Sequence, residues 1–249
     1  MNTYRKPELL APAGDFLKLE IALAYGADAV YVGGEKYSLR ANSKNFSLES
    51  LEAAIGYAHG KGAKVYVAIN SFARNSDIDE PPAYIKALGD IGADALIVSD
   101  PGVFHLAKEF APSVKLHVST QANVTNYKTA LFWQSMGADR IILARELSLN
   151  EISEIAQKAP GVALEVFIHG AMCISYSGRC LLSSYMTGRN SNLGECSHPC
   201  RYKYALVEEK RPGESFPIEE DSDGAYIMSS KDLMLARRIP ELVNAGVLS

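Results

Sequence analysis

The chain has 249 residues, of which 47% are hydrophobic and 22% are charged, and its formal net charge is −4 at neutral pH. A composition of this kind belongs to a globular protein with one large domain or two small ones, and it excludes a disordered chain. The 25 Lys and Arg residues are outnumbered by 29 Asp and Glu residues, so there is no overall basic surface for nucleic acid and any RNA contact has to be local.

Seven short apolar runs follow one another along the chain, and stretches with the hydrophobic spacing of helices separate them. The runs lie at residues 8–11, 29–32, 64–69, 95–98, 116–118, 140–143 and 164–168. Continuous runs of Val, Ile and Leu are typical of strands covered on both faces, so we predict a parallel sheet wrapped by helices. A first helix is predicted over residues 15–25, and a second begins after Ser47, whose side chain can cap it.

Two features decide between the α/β folds. Glycines such as Gly26, Gly62 and Gly92 precede most of the apolar runs, at the points where a helix should end before a strand. No glycine-rich phosphate-binding motif follows the first run, which argues against an open doubly wound sheet. The repeated units therefore predict a (β/α)8-type barrel.

The predicted barrel units one to seven occupy residues 1–170, and a Cys-rich insertion follows at 171–206. The last segment, 207–249, is predicted to add a small strand pair, formed by 202–207 and 225–228, and a helix from Ser230 through Leu242. The chain stops at Ser249, before an eighth strand. We therefore expect a truncated barrel, whose first and seventh strands would have unpaired edges if nothing replaced the missing strand.

Polar residues follow several of the predicted strands, at the barrel end where the chemistry of such folds takes place. Asp100 and His169 are the candidate catalytic residues, because both can transfer protons. Gln121 and Asn123 are expected to bind substrate groups at the same face. Asp100, Gln121 and Asn123 can equally cap the following helices, and a lone histidine is as often a packing residue.

Four cysteines lie within one short segment, at Cys173, Cys180, Cys196 and Cys200, separated by six, fifteen and three residues. The chain has neither a signal sequence nor a run of about eighteen uncharged apolar residues, so we expect a cytoplasmic protein without a membrane span or a disulfide scaffold. Zinc sites usually pair ligands a few residues apart, which only the last pair satisfies, while iron–sulfur clusters tolerate irregular loops. The spacing leaves a cluster, a zinc site and unligated or disulfide-bonded cysteines open.

The segment 165–180 (EVFIHGAMCISYSGRC) resembles the signature of the collagenase-like peptidases, family U32. Further similarity lies at 7–14 (PELLAPAG), 25–31 (YGADAVY), 38–40 (SLR), 211–214 (RPGE) and 226–233 (YIMSSKDL). Within the family, the arrangement is most similar to the tRNA hydroxylation proteins, which act on the wobble uridine and take the hydroxyl group from prephenate. The resemblance implies that Cys173, Cys180, Cys196 and Cys200 are ligands of a 4Fe-4S cluster.

The implied substrates suggest further residues. Prephenate is a dicarboxylate, and Arg40 and Arg145 are the expected clamps, because a guanidinium group binds a carboxylate through two hydrogen bonds. Ion pairs within the protein are the alternative for both. The expected RNA-binding residues lie in the Cys-rich segment, where tyrosines for base stacking alternate with Arg179, Arg189, Arg201 and Lys203. A solvated loop is the alternative.

Two other functions remain open. The historical family name suggests a peptidase, although the chain has no His-Glu-x-x-His helix and no Gly-x-Ser-x-Gly elbow. A pair such as Cys173 with His169 would lose its nucleophile if Cys173 bound iron. The third possibility is a non-catalytic scaffold that carries a cluster and binds RNA. The sequence does not indicate the oligomeric state.

Overall fold

A computed structural model describes residues 6–35, 37–38, 45–177, 179–202, 204–217 and 232–249. Seven parallel strands, β1 to β7, form one sheet in which spatial order equals chain order. They are Leu10–Pro12, Ala29–Gly33, Lys64–Ile69, Ala95–Val98, Lys115–Val118, Arg140–Ile142 and Ala163–Glu165. Helices α1 to α6 connect them, at Phe16–Ala24, Leu48–Gly60, Pro81–Asp90, Pro101–Phe110, Tyr127–Ser135 and Leu149–Lys158. The predicted α/β barrel architecture is confirmed as a curled half-barrel.

Local sequence signals set the ends of these helices. Asp15 accepts a hydrogen bond from the Lys18 amide at 2.9 Å and starts α1, and Ser47 accepts one from the Ser50 amide at 3.2 Å and starts α2. Gly26 follows α1 with a φ of +90°, which suits the left-handed turn between a helix and a strand. The first two helix predictions are confirmed because caps and glycines act within a few residues.

The sheet separates two cores. One face packs against the helices through a large apolar cluster that includes Val30, Val67 and Leu96. The other face forms the barrel interior, where small, aliphatic and aromatic residues such as Ala68, Ile97 and Tyr66 pack together. Successive residues of each strand alternate between these two faces, as the pleat requires.

Leu248 and Ser249 lie between β7 and β1, where an eighth strand of a barrel would lie. The Leu248 amide donates to the Leu164 carbonyl at 3.0 Å, and the Val166 amide donates to the Ser249 carbonyl at 3.0 Å. On the other side, the Glu8 amide donates to the Leu248 carbonyl at 2.9 Å. These two residues therefore bond the neighbouring edges of β1 and β7 at this level.

The segment after β7 forms small elements at the barrel mouth. They are β8 at His169–Ala171, α7 at Leu182–Thr187, β9 at Ala205–Leu206, β10 at Phe216–Pro217, β11 at Asp232–Met234 and α8 at Ile239–Asn244. Strand β8 pairs antiparallel with β11, and β9 pairs antiparallel with β10. Among the described residues, no helix has the length and apolar character that a membrane crossing needs.

Two predictions for this segment need correction. The strand predicted at 202–207 is present as β9, but its partner is β10, and the partner predicted at 225–228 lies outside the described residues. The helix predicted from Ser230 through Leu242 is wrong at its start, because Asp232–Met234 is strand β11 and α8 covers only Ile239–Asn244. The backbone of β8 pairs with Asp232–Met234, which makes this part of the predicted helix a strand. Pro240 lies in the first turn of α8, where proline suits a helix start.

Candidate active site at the barrel mouth

A layer of uncharged polar side chains lies at the carboxyl ends of β3, β4 and β5. Asn70, Ser99 and Ser119 each follow the last outward-facing apolar residue of their strand, so they share the inward-facing side. The Ser99 hydroxyl donates to the Asn70 carbonyl at 3.1 Å, and the Asn70 amide nitrogen lies 3.4 Å from the Ser119 hydroxyl oxygen. Asn70 is among the polar residues that follow a predicted strand, whereas Ser99 and Ser119 were not predicted as site residues, although their position one residue after Val98 and Val118 carries the signal.

Gln121, a predicted substrate-binding residue, belongs to this polar layer. Its Oε1 accepts hydrogen bonds from Asn70 Nδ2 at 3.2 Å and from the Ser119 hydroxyl group. Asn123 lies beyond it with a left-handed backbone, at a φ of +53°, and its Nδ2 donates to the Gln121 carbonyl at 3.0 Å. The structure therefore brings Gln121 together with Asn70 and Ser119, while Asn123 ends the short turn Thr120–Ala122.

Asp100, a predicted catalytic residue, begins helix α4. Its Oδ1 accepts hydrogen bonds from the amides of Gly102 at 2.8 Å and Val103 at 3.1 Å. These are the contacts of an N-cap, which is the structural alternative that the sequence left open. The capping bonds occupy one carboxylate oxygen.

Arg145, a predicted carboxylate clamp, joins the end of β6 to the Cys-rich segment. Its Nη1 donates to the Ala171 carbonyl at 2.7 Å, and its Nε donates to the Ser177 hydroxyl oxygen at 3.2 Å, with Nη2 on the same oxygen. The guanidinium carbon also lies 5.5 Å from the centre of the Phe167 ring. Arg145 therefore positions the chain around Cys173 over the barrel mouth. The second predicted clamp, Arg40, lies outside the described residues.

None of the four cysteines forms a disulfide bond. Burial raises the pKa of Cys173 against the hydrogen bond from the Ser175 amide, which lowers it, and the thiols of Cys180 and Cys200 raise it further. The fourth, Cys196, accepts a hydrogen bond from the His198 amide at 3.4 Å. Within the described ranges, no three His, Cys, Asp or Glu side chains are arranged as ligands of a metal ion. The donor set matches a thiolate-bound cluster in its chemistry, whereas its arrangement here is not that of a formed metal site.

An open pocket of about 430 Å³ lies beside Cys173. Its lining also includes Glu146, Met172, Tyr176 and Arg179. The predicted catalytic residue His169 lies nearby in sequence, on the exposed strand β8 opposite Met234. The pocket therefore combines a thiol, a carboxylate and a guanidinium group at the edge of the mouth.

The predicted RNA-binding residues lie on the surface of the Cys-rich segment. Arg179 and Arg189 are exposed, and Arg201 forms an ion pair with Asp232 at 2.7 Å. Lys203 lies outside the described residues. Three tyrosines are exposed on the same segment, at 55% for Tyr176, 86% for Tyr185 and 60% for Tyr202. Exposed tyrosine rings beside arginines suit the stacking of bases and the binding of phosphates.

A charged cluster that the sequence analysis missed fills the opposite, amino-terminal end of the barrel interior. Arg140 Nη1 donates to Glu8 at 2.6 Å and to Glu165 at 3.0 Å, and Tyr66 donates to Glu8 at 2.8 Å. Burial raises the pKa of Glu165 to about 7, against the opposing effect of Arg140. Arg140 is shared between the two carboxylates and Lys64 pairs with Glu8, so the more buried acid, Glu165, binds its proton more tightly than an exposed glutamate does. The cluster lies at the end of the barrel opposite the mouth residues, so its effect is on the stability of the fold.

Comparison with known proteins identifies the family. The chain matches the model of a family described as Peptidase family U32 over residues 14–249. The tRNA hydroxylation protein P1 of Bacillus subtilis (strain 168) is 45% identical over 243 residues, which cover 98% of this chain and 57% of that protein. The 23S rRNA 5-hydroxycytidine C2501 synthase of Escherichia coli (strain K12) is 38% identical over 242 residues, which cover 97% of this chain and 35% of that protein.

A solved structure of a U32 peptidase has the same fold, with a TM-score of 0.60 and 18% identity over 87% of this chain and 88% of that chain. The chain thus spans little more than half the length of the Bacillus relative, at 57%. The family match over residues 14–249 and the 45% identity to that relative agree. This chain belongs to peptidase family U32.

Proposed function

We propose that this chain is the barrel part of an enzyme that hydroxylates a pyrimidine of RNA, with the wobble uridine of tRNA as the substrate. Its similarity to proteins named for tRNA hydroxylation and for the synthesis of an rRNA hydroxycytidine supports this reaction. The observation that carries the proposal is the link made by Arg145, which holds the Cys173 segment beside the polar barrel mouth. Chemistry and base recognition then share one end of the barrel.

RNA binding falls to the exposed surface of the Cys-rich segment. Arg179 and Arg189 are the proposed phosphate contacts, and Tyr176 and Tyr185 are the proposed stacking platforms. The net charge of −4 means that the rest of the molecule adds no attraction for RNA. A local site of this kind favours one structured region of the RNA, such as an anticodon loop, over the whole molecule.

The remaining parts of the proposal concern the cofactor and the co-substrate. Cys173, Cys180, Cys196 and Cys200 are the proposed ligands of a 4Fe-4S cluster, which when bound would supply a Lewis-acidic or redox-active centre. Prephenate is the proposed hydroxyl donor, with Arg40 as the carboxylate clamp, since the Arg145 guanidinium donates to protein oxygens. His169 is the proposed proton-transfer residue at the mouth, because it is exposed there on β8.

The test is anaerobic purification followed by iron and sulfide analysis, and then reaction with a tRNA anticodon stem-loop and prephenate. We expect about four iron and four sulfide ions per chain and one added oxygen on the wobble uridine by mass spectrometry. Stoichiometric zinc without sulfide would overturn the cluster. Casein cleavage that persists after replacement of all four cysteines would favour the peptidase function instead.

RNA binding needs its own control. We expect Arg189→Gln to weaken binding of the stem-loop and to reduce its salt dependence, because one phosphate contact is lost. Lys158→Gln removes the same charge from the outer helix α6, where the lysine pairs with Glu154 at 2.6 Å. Equal weakening by both variants would mean that only net charge matters and would contradict the proposed site.

A further inference from the structure

The polar layer at the barrel mouth fixes the orientation of the Gln121 carboxamide. Its Oε1 accepts two hydrogen bonds, from Asn70 Nδ2 at 3.2 Å and from the Ser119 hydroxyl. The opposite orientation would set the Gln121 NH2 group against the Asn70 NH2 group, since both can only donate. With the Asn70 amide oriented as it is, Nε2 is the remaining polar atom of the Gln121 carboxamide, and no residue in the described part of the chain accepts a hydrogen bond from it.

The chemistry of this layer suits a neutral heterocycle. Asn70, Ser99, Ser119 and Gln121 carry no charge, while a carboxylate or phosphate would call for an arginine or a lysine. Ser119 is buried, and Asn70, Ser99 and Gln121 are partly exposed, so the layer forms the accessible floor of the mouth. Carboxamide side chains recognise bases by donating to and accepting from the edge of the ring.

Gln121 follows β5 and lies one strand away from Arg145, which follows β6 and anchors the Cys-rich segment. The neighbouring Thr120 hydroxyl donates to the Leu143 carbonyl at 3.1 Å, which joins the turn after β5 to the chain that leads from β6 to Arg145. Arg145 in turn holds the Ala171 carbonyl at 2.7 Å. The turn that carries Gln121 is therefore joined, through the chain after β6, to the segment that carries Cys173.

We propose that Gln121 is a specificity-determining residue that donates through Nε2 to the substituent on C4 of the target pyrimidine and so selects uridine over cytidine. The inference rests on the proposed function and assigns its base specificity. Uracil carries a carbonyl oxygen on C4, which accepts this hydrogen bond, whereas cytosine carries an amino group there, which can only donate. The C4 atom is the ring neighbour of C5, the carbon that the rRNA-modifying relative is named for hydroxylating.

The substitution Gln121→Glu tests this assignment with almost no change of shape. One carboxylate oxygen can keep both inner hydrogen bonds, from Asn70 and Ser119, and the other presents an acceptor in place of the outer donor. Two anticodon stem-loops that differ only in uridine or cytidine at the wobble position serve as substrates. We expect the ratio of uridine to cytidine hydroxylation to fall at least about tenfold, since a mispaired donor or acceptor costs a hydrogen bond and its desolvation.

Gln157→Glu is the matched control, because it adds the same negative charge on the exposed outer helix α6. It should leave the ratio unchanged. Ser119→Ala is a second test without a charge change, since it removes one of the two donors that hold the Gln121 amide. It should bring the ratio closer to one while uridine is still hydroxylated.

The dissociation constants of the same two stem-loops provide a readout that does not depend on catalysis. If the unmodified chain hydroxylates neither loop, the proposed function fails, and the binding ratio still decides the role of Gln121. A ratio of the two dissociation constants that changes equally in Gln121→Glu and Gln157→Glu overturns the inference. So does an unaltered uridine preference in a folded Gln121→Glu variant.

Discussion

At the scale of single residues, Arg145 connects the barrel to the Cys-rich segment through all three guanidinium nitrogens. We expect Arg145→Lys to release residues 171–177, because a lysine ammonium keeps the charge but cannot bond the Ala171 carbonyl and the Ser177 hydroxyl in one planar fork. Amide hydrogen exchange of this segment should increase, while exchange of β4 and β5 stays slow. Arg189→Lys, at an exposed position, should change neither. Unchanged exchange at 171–177 would contradict the anchoring role.

The buried carboxylates at the other end of the barrel determine how stability depends on pH. Burial raises the pKa of Glu165 from 4.5 to about 7, so the folded chain holds this proton more tightly than the unfolded chain. The resulting stabilisation is present below pH 4.5 and is lost as the pH rises through 7. His117 has the opposite effect, because burial lowers its pKa to about 3 and favours folding as the pH rises towards 6.5.

Comparison of the wild-type chain with Glu165→Gln isolates the first of these contributions, since His117 is present in both. We expect the variant to gain stability relative to the wild type as the pH is raised from 5 to 8, by up to about 3 kcal/mol. Urea unfolding at several pH values measures this difference. For Glu8, burial acts to raise the pKa, but hydrogen bonds from Arg140 and Lys64 lower it to about 2, so Glu8 contributes little slope in this range, and that slope is common to both chains. A difference that is flat from pH 5 to 8 would contradict the raised pKa.

At the scale of elements, helix α4 depends on Asp100. Asp100→Ala should cost about 1 kcal/mol of stability because the amides of Gly102 and Val103 lose their acceptor, while Asp100→Asn should stay close to the wild type. Thermal unfolding measures both. Equal stability of the alanine and asparagine variants would show that the cap contributes nothing.

The stable Asp100→Asn variant also tests the predicted catalytic role of Asp100. Loss of hydroxylation in this variant would assign proton transfer to the carboxylate, and retained hydroxylation would restrict the role of Asp100 to capping.

The elements also show what the sequence could predict. Helices α1 and α2 were predictable because Asp15 and Ser47 are capping residues directly before an amphipathic stretch. The pairing of β8 with β11 was not, because each is three residues long and no pattern links His169–Ala171 to Asp232–Met234. Pairing over such a separation is decided by which backbone groups remain unbonded after the barrel forms.

At the scale of the whole molecule, the sequence predicted the barrel sheet, but it predicted only some of the side chains in the barrel interior. The seven apolar runs contain residues from both faces of each strand, and this pattern predicted the sheet. The inward-facing residues are mixed: Glu165 and Arg140 form a charged layer, Ala68 and Ile97 an apolar one, and Asn70 part of a polar one. Neighbours within a layer come from different strands, so their spacing along the chain carries no period. Gln121 was predicted by its place after a strand, whereas its contacts with Asn70 and Ser119 were identified only in the structure.

Closure of the barrel between β7 and β1 depends on the backbone of Leu248, which bonds to both neighbours. Leu248→Pro removes the amide that donates to the Leu164 carbonyl at 3.0 Å, while Leu248→Ala keeps it and shortens only a side chain that is 36% exposed. We expect the proline variant to lose about 1–3 kcal/mol more stability than the alanine variant in urea unfolding. Local opening should also speed exchange of the Glu8 and Val166 amides, which donate to Leu248 and Ser249.

The backbone hydrogen bonds of Leu248 between β7 and β1 form a seam. This seam lies beside the charged layer, because Glu8 bonds Leu248 through its amide and Arg140 through its carboxylate. Opening of the seam by Leu248→Pro should therefore admit water to Glu165 and bring its pKa down towards the ordinary value of 4.5. The pH-dependent stability difference between chains with Glu165 and with Gln at that position should then shrink in the Leu248→Pro background and persist in the Leu248→Ala background. If the difference is the same in both backgrounds, the seam and the charged layer are independent, and closure of the barrel does not control the titration of its interior.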